Sequence, residues 1–166
     1  MRARKLSDRP PPGSLPLDLV DFVEALNDNG AKFLIVGGHA VGFHGHARAT
    51  EDFDVWIGSD RENIDAVAEA LRAFQAPASV ARAVRDLGPG EFVRFGQPPV
   101  RIDILQTVDG LNDFDACWMR RESFEREGLV FPVIELGDLL HNKSAAGRPQ
   151  DMVDVEHLDR VRRKER

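Results

Sequence analysis

A chain of 166 residues and 18.5 kDa, 42% apolar and 30% charged, has room for about one globular domain with a real core, and is neither fibrous nor low in complexity. Its single cysteine, Cys117, excludes an internal disulfide framework and a cysteine-rich zinc site, and no apolar run approaches the ~18 residues of a membrane span or forms the apolar stretch of a secretory signal, so a soluble, cytoplasmic protein without a membrane partner is expected. The net charge of −6 is unevenly spread: residues 1–9 carry +3 and residues 160–166 carry +4, which leaves −13 on the body between them.

Residues 1–15, rich in Arg and Pro, read as a flexible arm; residues 16–160 read as one domain and residues 161–166 as a basic tail. Leu19, Phe22, Val23 and Leu26 recur at i, i+3, i+4 and i+7 and predict a helix that stops at Asn29-Gly30. Phe33-Leu34-Ile35-Val36 is too short for a helix and reads as a buried strand. Gly37-Gly38 ends it, and a short helix follows over 39–46. Phe53 to Ile57 predicts a second strand. Ser59 and Glu62 have capping-box spacing ahead of a helix stripe of Ile64, Val67, Leu71 and Phe74, closed by Pro77. Residues 79–90 carry no clear period. Residues 91–95 and 100–105 predict a hairpin, and 129–134 a short strand that Pro132 assigns to an edge. Helices over 136–146 and 150–163 finish the chain. Helices and strands mix in one domain, so the class is α/β or α+β.

Aspartate is depleted in strands, yet three stand in or against apolar strands. Asp52 and Asp54 are two apart and share a face; Asp103 lies between Ile102 and Ile104. Three such carboxylates on one sheet face repel one another, and hard divalent cations are the usual remedy, with oxygen ligation favouring Mg²⁺ or Mn²⁺ over zinc. The plainer alternative leaves Asp52 at a loop end, Asp54 in water and Asp103 paired with an arginine such as Arg94 across the hairpin. Gly37-Gly38, between a strand and a helix, is either an ordinary tight turn or a place of close backbone approach for a phosphate. Lys143 shares a helix stripe with Leu139 and Leu140, and a cation there invites a partner; Asp151 and Asp154 read as structural, Arg148 with Asp151 as a helix-end pair. His39, His44 and His46 lack zinc-site spacing. Phe114, Trp118, Met119 and Trp56 read as packing residues. The basic ends lack interleaved aromatic residues and read as solvated tails rather than nucleic-acid grips.

The order Val36-Gly37-Gly38, thirteen residues, Asp52-Phe53-Asp54-Val55, then Arg101-Ile102-Asp103-Ile104-Leu105 resembles the nucleotidyltransferase superfamily typified by DNA polymerase β. Gly37-Gly38-His39-Ala40, Arg48-Ala49-Thr50-Glu51-Asp52 and Lys143 followed by Arg148, Asp151 and Asp154 are similar to its small prokaryotic branch, which includes abortive-infection nucleotidyltransferase toxins. The resemblance implies a polymerase β-like fold, a mixed β-sheet flanked by helices, and Asp52, Asp54 and Asp103 as catalytic metal ligands for two Mg²⁺ or Mn²⁺ ions. It implies Gly37, Gly38, His39, Arg48, Thr50 and Lys143 around an NTP, whose NMP passes to an acceptor hydroxyl with release of pyrophosphate. RNA, a protein or a small molecule are the acceptor classes it leaves open. It also implies, for a toxin-type member, a neutralising antitoxin, and the absence of a second domain to grip an acceptor points to a partner or a homodimer. The alternative is a non-catalytic module that binds a nucleotide or a partner on the same fold.

Overall fold

The computed structural model describes residues 15–166, so all of the expected N-terminal arm except Leu15 lies outside the described residues. Helix α1 (Leu17–Asp28) buries Leu19, Phe22, Val23 and Leu26, the stripe that its spacing predicts. Strand β1 (Phe33–Val36) is buried at all four positions. Helix α2 (Gly37–Phe43) begins two residues before the predicted start, because the glycine pair turns directly into it with Gly37 at a φ of 65°. Strand β2 (Asp52–Ile57) and helix α3 (Arg61–Ala73) follow.

The cap of α3 differs from expectation. Asp60, not Ser59, stands at the N-cap, and its carboxylate accepts the Asn63 N–H at 2.9 Å. Asn63 in turn ties α3 to the ends of the first two strands, donating to the carbonyls of Lys32 and Gly58 at 2.9 Å each. Pro77 does not close α3, which ends at Ala73; it is the N-cap of α4 (Ala78–Arg85), a helix that occupies much of the stretch without a clear period.

Strands β3 (Phe92–Phe95) and β4 (Arg101–Leu105) form the expected hairpin. Helix α5 (Phe114–Arg120) and strand β5 (Glu122–Arg126) are additions that the sequence pattern does not announce. Within α5, Phe114 packs against Trp56 with ring centroids 5.2 Å apart, whereas Met119 is 79% exposed and is not a core residue. Strand β6 (Leu129–Val133) is internal rather than an edge. Its ladder runs along β5 and meets β1 only where Ile35 faces Val133, so Pro132 interrupts little of the second pairing. Helices α6 (Leu136–Ala146) and α7 (Pro149–Lys164) close the chain; Arg160, Arg162, Arg163 and Lys164 lie on the last turns of α7 rather than beyond it. Among the described residues no helix is long and apolar enough to cross a membrane.

The result is a mixed α/β architecture built on one six-stranded sheet in the order β3-β4-β2-β1-β6-β5. Strand β1 is antiparallel to β2 and parallel to β6, while β2 is parallel to β4. Alternation puts Phe53, Val55 and Ile57 on one face of β2 and Asp52, Asp54 and Trp56 on the other. The first face, continued by Ile102 and Phe95 in register, meets Phe22 of α1 and Phe74 after α3 in an aromatic cluster with centroids 5.4–6.4 Å apart. The second face is sealed by α5 at Trp56 and is half-open at Asp52 and Asp54. Because Asp60 rather than Ser59 caps α3, Asp60→Ala should lower unfolding stability by about 1 kcal/mol in urea titration. Ser59→Ala should stay within about 0.5 kcal/mol of the parent.

Candidate active site

Strand β2 carries Asp52 and Asp54 at its open end, and the parallel register with β4 sets Asp54 opposite Asp103 and Asp52 opposite Arg101. The hairpin then sets Arg94 opposite Asp103. All five side chains belong to one sheet face. Arg94 gives a bidentate pair to Asp103, Nε and Nη2 donating at 2.8 and 2.9 Å, and its Nη2 lies 3.8 Å from Asp52. This is the cross-hairpin pair that the plainer reading of Asp103 expects. Arg101 Nε donates to Asp52, and that hydrogen bond holds the Asp52 carboxyl below its ordinary value. Asp103 is 6% exposed.

Asp54 differs from both. Among the described residues its carboxylate makes no hydrogen bond and no ion pair. Burial raises its pKa to about 7, and the neighbouring Asp103 and Asp52 push the same way against the weaker pull of Lys143 and Arg148. Gly37 lies directly against it: a Cβ on Gly37 would stand 2.1 Å from Asp54 Oδ2. Here glycine is required twice, by the positive φ and by the approach of the carboxylate. Among the described residues, no three His, Cys, Asp or Glu side chains are grouped so as to hold a metal ion as they stand, two of the three acids being drawn onto guanidinium groups. In donor type the trio still suits a hard cation, since every ligand atom it offers is a carboxylate oxygen.

A second charge network stands beside the first. Lys143 sits on the buried stripe of α6 with Leu139 and Leu140 and is 4% exposed. Its ammonium donates to Asp151 at 3.0 Å and lies 3.1 Å from Asp154, both on α7. The partner that its place on the stripe invites is thus two aspartates. Arg48 grips Asp154 with Nε and Nη2 at 2.9 Å each, Gln150 adds a bond at 3.1 Å, and Arg148 closes on Asp151 at 2.7 Å across the first turn of α7. Burial works to raise both carboxyls. Hydrogen bonds from Arg148 and Lys143 to Asp151, and from Arg48, Lys143 and Gln150 to Asp154, outweigh it and hold both below the ordinary value. Three cations meet two carboxylates here, so the cluster presents surplus positive charge to Asp54.

The remaining expected site residues gather on the other side of the glycine pair. Gly38, His39, Arg48 and Thr50 line a cleft of about 300 Å³ together with Phe43 and Arg126. A Cβ on Gly38 would stand 2.9 Å from Thr50 Oγ1, and Thr50 donates to the Asp52 carbonyl at 3.2 Å, which ties the loop to the start of β2. His39 packs edge-on to Phe53 at 5.0 Å; burial, with help from Arg48, lowers its pKa to about 4, so it is neutral at neutral pH. His44 is structural, its Nε2 2.7 Å from the Ile134 carbonyl oxygen. Gly37, Lys143 and all three acids, Asp52, Asp54 and Asp103, lie outside the lining of this cleft. Arg101, which holds Asp52, is the site residue that sequence reading passes over, whereas Arg94 is expected there as the cross-hairpin partner of Asp103; a cation two positions before Asp103 on the same strand face is the signal that marks Arg101.

Residues 16–166 match the model of a family described as nucleotidyl transferase of unknown function (DUF2204). The chain belongs to that family. This nucleotidyl transferase family member is also similar to a crystal structure of an antigenic nucleotidyltransferase-like protein from Paracoccidioides brasiliensis, at 18% identity and a TM-score of 0.49 over 86% of this chain and 74% of that one. No curated protein matches the sequence.

Two measurements probe the charges of this nucleotidyl transferase family site. The Asp54 carboxyl titrates near 7 when folded and near 3.8 when unfolded, so the folded state binds the extra proton between those values. Stability therefore falls as pH rises from about 4 to 7 and levels off above. Asp54→Asn removes that slope, and in EDTA its stability advantage should grow across this window to on the order of 2–4 kcal/mol. An advantage independent of pH would mean an ordinary carboxyl. For Lys143→Met, two carboxylates lose a buried partner, and urea unfolding at pH 7 should show a loss of about 3–5 kcal/mol. That loss should shrink in acid, once the pH falls below the ordinary aspartate range and Asp151 and Asp154 take up protons.

Proposed function

We propose that this chain transfers a nucleoside monophosphate from an NTP to an acceptor hydroxyl, with Asp52, Asp54 and Asp103 as ligands of Mg²⁺ or Mn²⁺. The observation that carries this reading is Asp54. A carboxylate kept half-buried beside two further acids, with no hydrogen bond among the described residues and with a glycine cleared away in front of it, costs stability that a structural residue would not. When bound, divalent ions supply charge neutralisation at the attacking and leaving oxygens of an in-line displacement.

The chain's own residues have distinct parts in that reading. Gly37 keeps the approach to Asp54 clear, and the neighbouring cleft lined by Gly38, His39, Arg48 and Thr50, which none of the three acids lines, is the berth proposed for the part of the nucleotide beyond the metal-held phosphates. Thr50 holds the start of β2, and with it Asp52, in line with the glycine pair. His39, neutral at working pH, offers packing and hydrogen bonding but no charge. Arg48 and Lys143 are held by Asp154 and Asp151 and act on phosphate charge through space, as fixed positive potential. In the displacement, the acceptor oxygen bonds to the α-phosphorus, the bond to the pyrophosphate oxygen breaks, and the acceptor proton passes to solvent. The −13 carried by the body works against broad binding of a polyanion, so the acceptor is presented as a local hydroxyl, at an RNA end, on a protein or on a small molecule.

The test is incubation of the purified chain with each α-labelled NTP and Mg²⁺ or Mn²⁺, in parallel with total RNA, with cell protein and with an aminoglycoside. Label transfer and pyrophosphate release are expected with one acceptor class, and Asp54→Asn should lower both on the order of 10²-fold or more at unchanged fold. Transfer that persists in Asp54→Asn, or no pyrophosphate with any combination, would overturn the reading.

A further inference from the structure

Arg94 holds a place among the acids that motif reading does not assign to it. It stands on β3, the edge strand of the sheet, opposite Asp103. Its fork uses both oxygens of Asp103, at 2.8 and 2.9 Å, and the same Nη2 reaches to 3.8 Å from Asp52 Oδ2. One monovalent planar cation thus spans two of the three carboxylates and makes no bond to the third. We propose that the Arg94 guanidinium is a built-in competitor of the divalent cation, occupying the position between Asp103 and Asp52 and setting the metal affinity of the site. This rests on the metal-assisted reading of the acid trio.

Three observations separate Arg94 from a merely structural partner. The first is that it is free to leave. Its side chain is 44% exposed, against 25% for Arg101 on the inner strand β4 and 5% for Lys143. Water and salt compensate the guanidinium when it swings out, whereas Asp103, with a side chain only 9% exposed, is left for an incoming cation to satisfy. The second is that it has somewhere to go: its guanidinium already lies 5.4 Å from the ring of Phe92, itself 52% exposed on the same strand face, so outward rotation keeps an aromatic surface beneath it. The third is that it leaves the electrostatic problem unsolved. A fork that satisfies Asp103 cannot also satisfy Asp54, whose register partner is Asp103 itself. A compact divalent charge among the three acids is attracted by all of them at once, and the attraction per unit charge is greater where the surroundings are half-buried. The guanidinium is therefore a place-holder that a divalent ion displaces, and the apparent affinity for the ion is reduced by the fraction of molecules in which the place is taken.

The experiment is titration of the purified full chain with Mn²⁺ without nucleotide, the free ion being read by its electron paramagnetic resonance signal. The parent, Arg94→Ala, Arg94→Lys and Asp54→Asn are compared, and melting curves are taken with and without Mn²⁺. Arg94→Ala should bind Mn²⁺ roughly three- to tenfold more tightly than the parent, the factor by which a half-exposed pair lowers the competent population. Arg94→Lys, an ammonium without the bidentate fork, should fall between the two and carries the comparison should the alanine variant fail to fold. Arg94→Ala should also melt lower than the parent in EDTA and gain more on adding Mn²⁺. Equal or weaker Mn²⁺ binding by Arg94→Ala, with Asp54→Asn weaker than the parent, overturns the role of Arg94 and leaves the metal reading standing. Absence of saturable Mn²⁺ binding in the parent and in both Arg94 variants overturns the metal reading, and this inference with it.

Discussion

The parallel pairing of β2 with β4 sets Asp54 beside Asp103 at the ~4.8 Å spacing of neighbouring strands, and two carboxylates so close demand compensation. The surrounding structure is arranged around that demand. Arg94 and Arg101 come from the same two registers that create the problem, since each is the cross-strand neighbour of the acid it holds. Gly37 removes its own side chain from the space that the Asp54 carboxylate takes. Strand β2, which carries two of the acids, is firmly packed, because Phe53, Val55, Trp56 and Ile57 are buried from both faces. A rigid strand with a strained carboxylate at its mouth is the arrangement that preorganisation requires.

Beyond the sheet, the α6–α7 pair is locked by charge as well as by packing. Lys143 lies between Asp151 and Asp154, and Arg48 reaches the same Asp154 from a loop more than a hundred residues earlier in the chain. The loop carrying Thr50, the first residue of β2 and the last two helices are therefore one mechanical unit. A buried network of this kind is weak evidence for stability as such, because desolvation offsets most of its Coulomb gain. What it does provide is position: it fixes a positive surplus next to the acids without letting any of its cations collapse onto Asp54.

Much of this was legible in the residues alone, for identifiable reasons. Aspartates inside apolar strands stand out against strand composition, so Asp52, Asp54 and Asp103 announce themselves. The buried runs of β1 and β4 and the stripes of α1 and α6 follow from period. Lys143 on an inward stripe signals a missing partner, and the partners are the two aspartates that read as structural. Pairings between distant strands leave no such trace. Nothing local says that Asp52 will meet Arg101 or that Arg48 will meet Asp154. Helix α4 was hidden by its shortness, eight residues with only Val80, Ala81 and Val84 buried, and β5 by being an edge strand, whose mostly exposed Glu-Ser-Phe-Glu-Arg run looks like a loop. Pro132 misleads because β6 meets its second neighbour at one position only.

The isolation of Asp54 also bears on how such a chain ages. Most residues at a protein's centre are protected from drift because replacing them lowers stability. Asp54 is the reverse case, since a neutral isostere relieves repulsion, desolvation and the proton uptake of folding together. Loss of this one carboxylate is a downhill step in folding free energy, and it leaves the sheet, the glycine turn and the cleft intact. The scaffold thus lies one substitution from a sturdier version of itself, and the carboxylate that separates the two is the one on which the proposed chemistry rests.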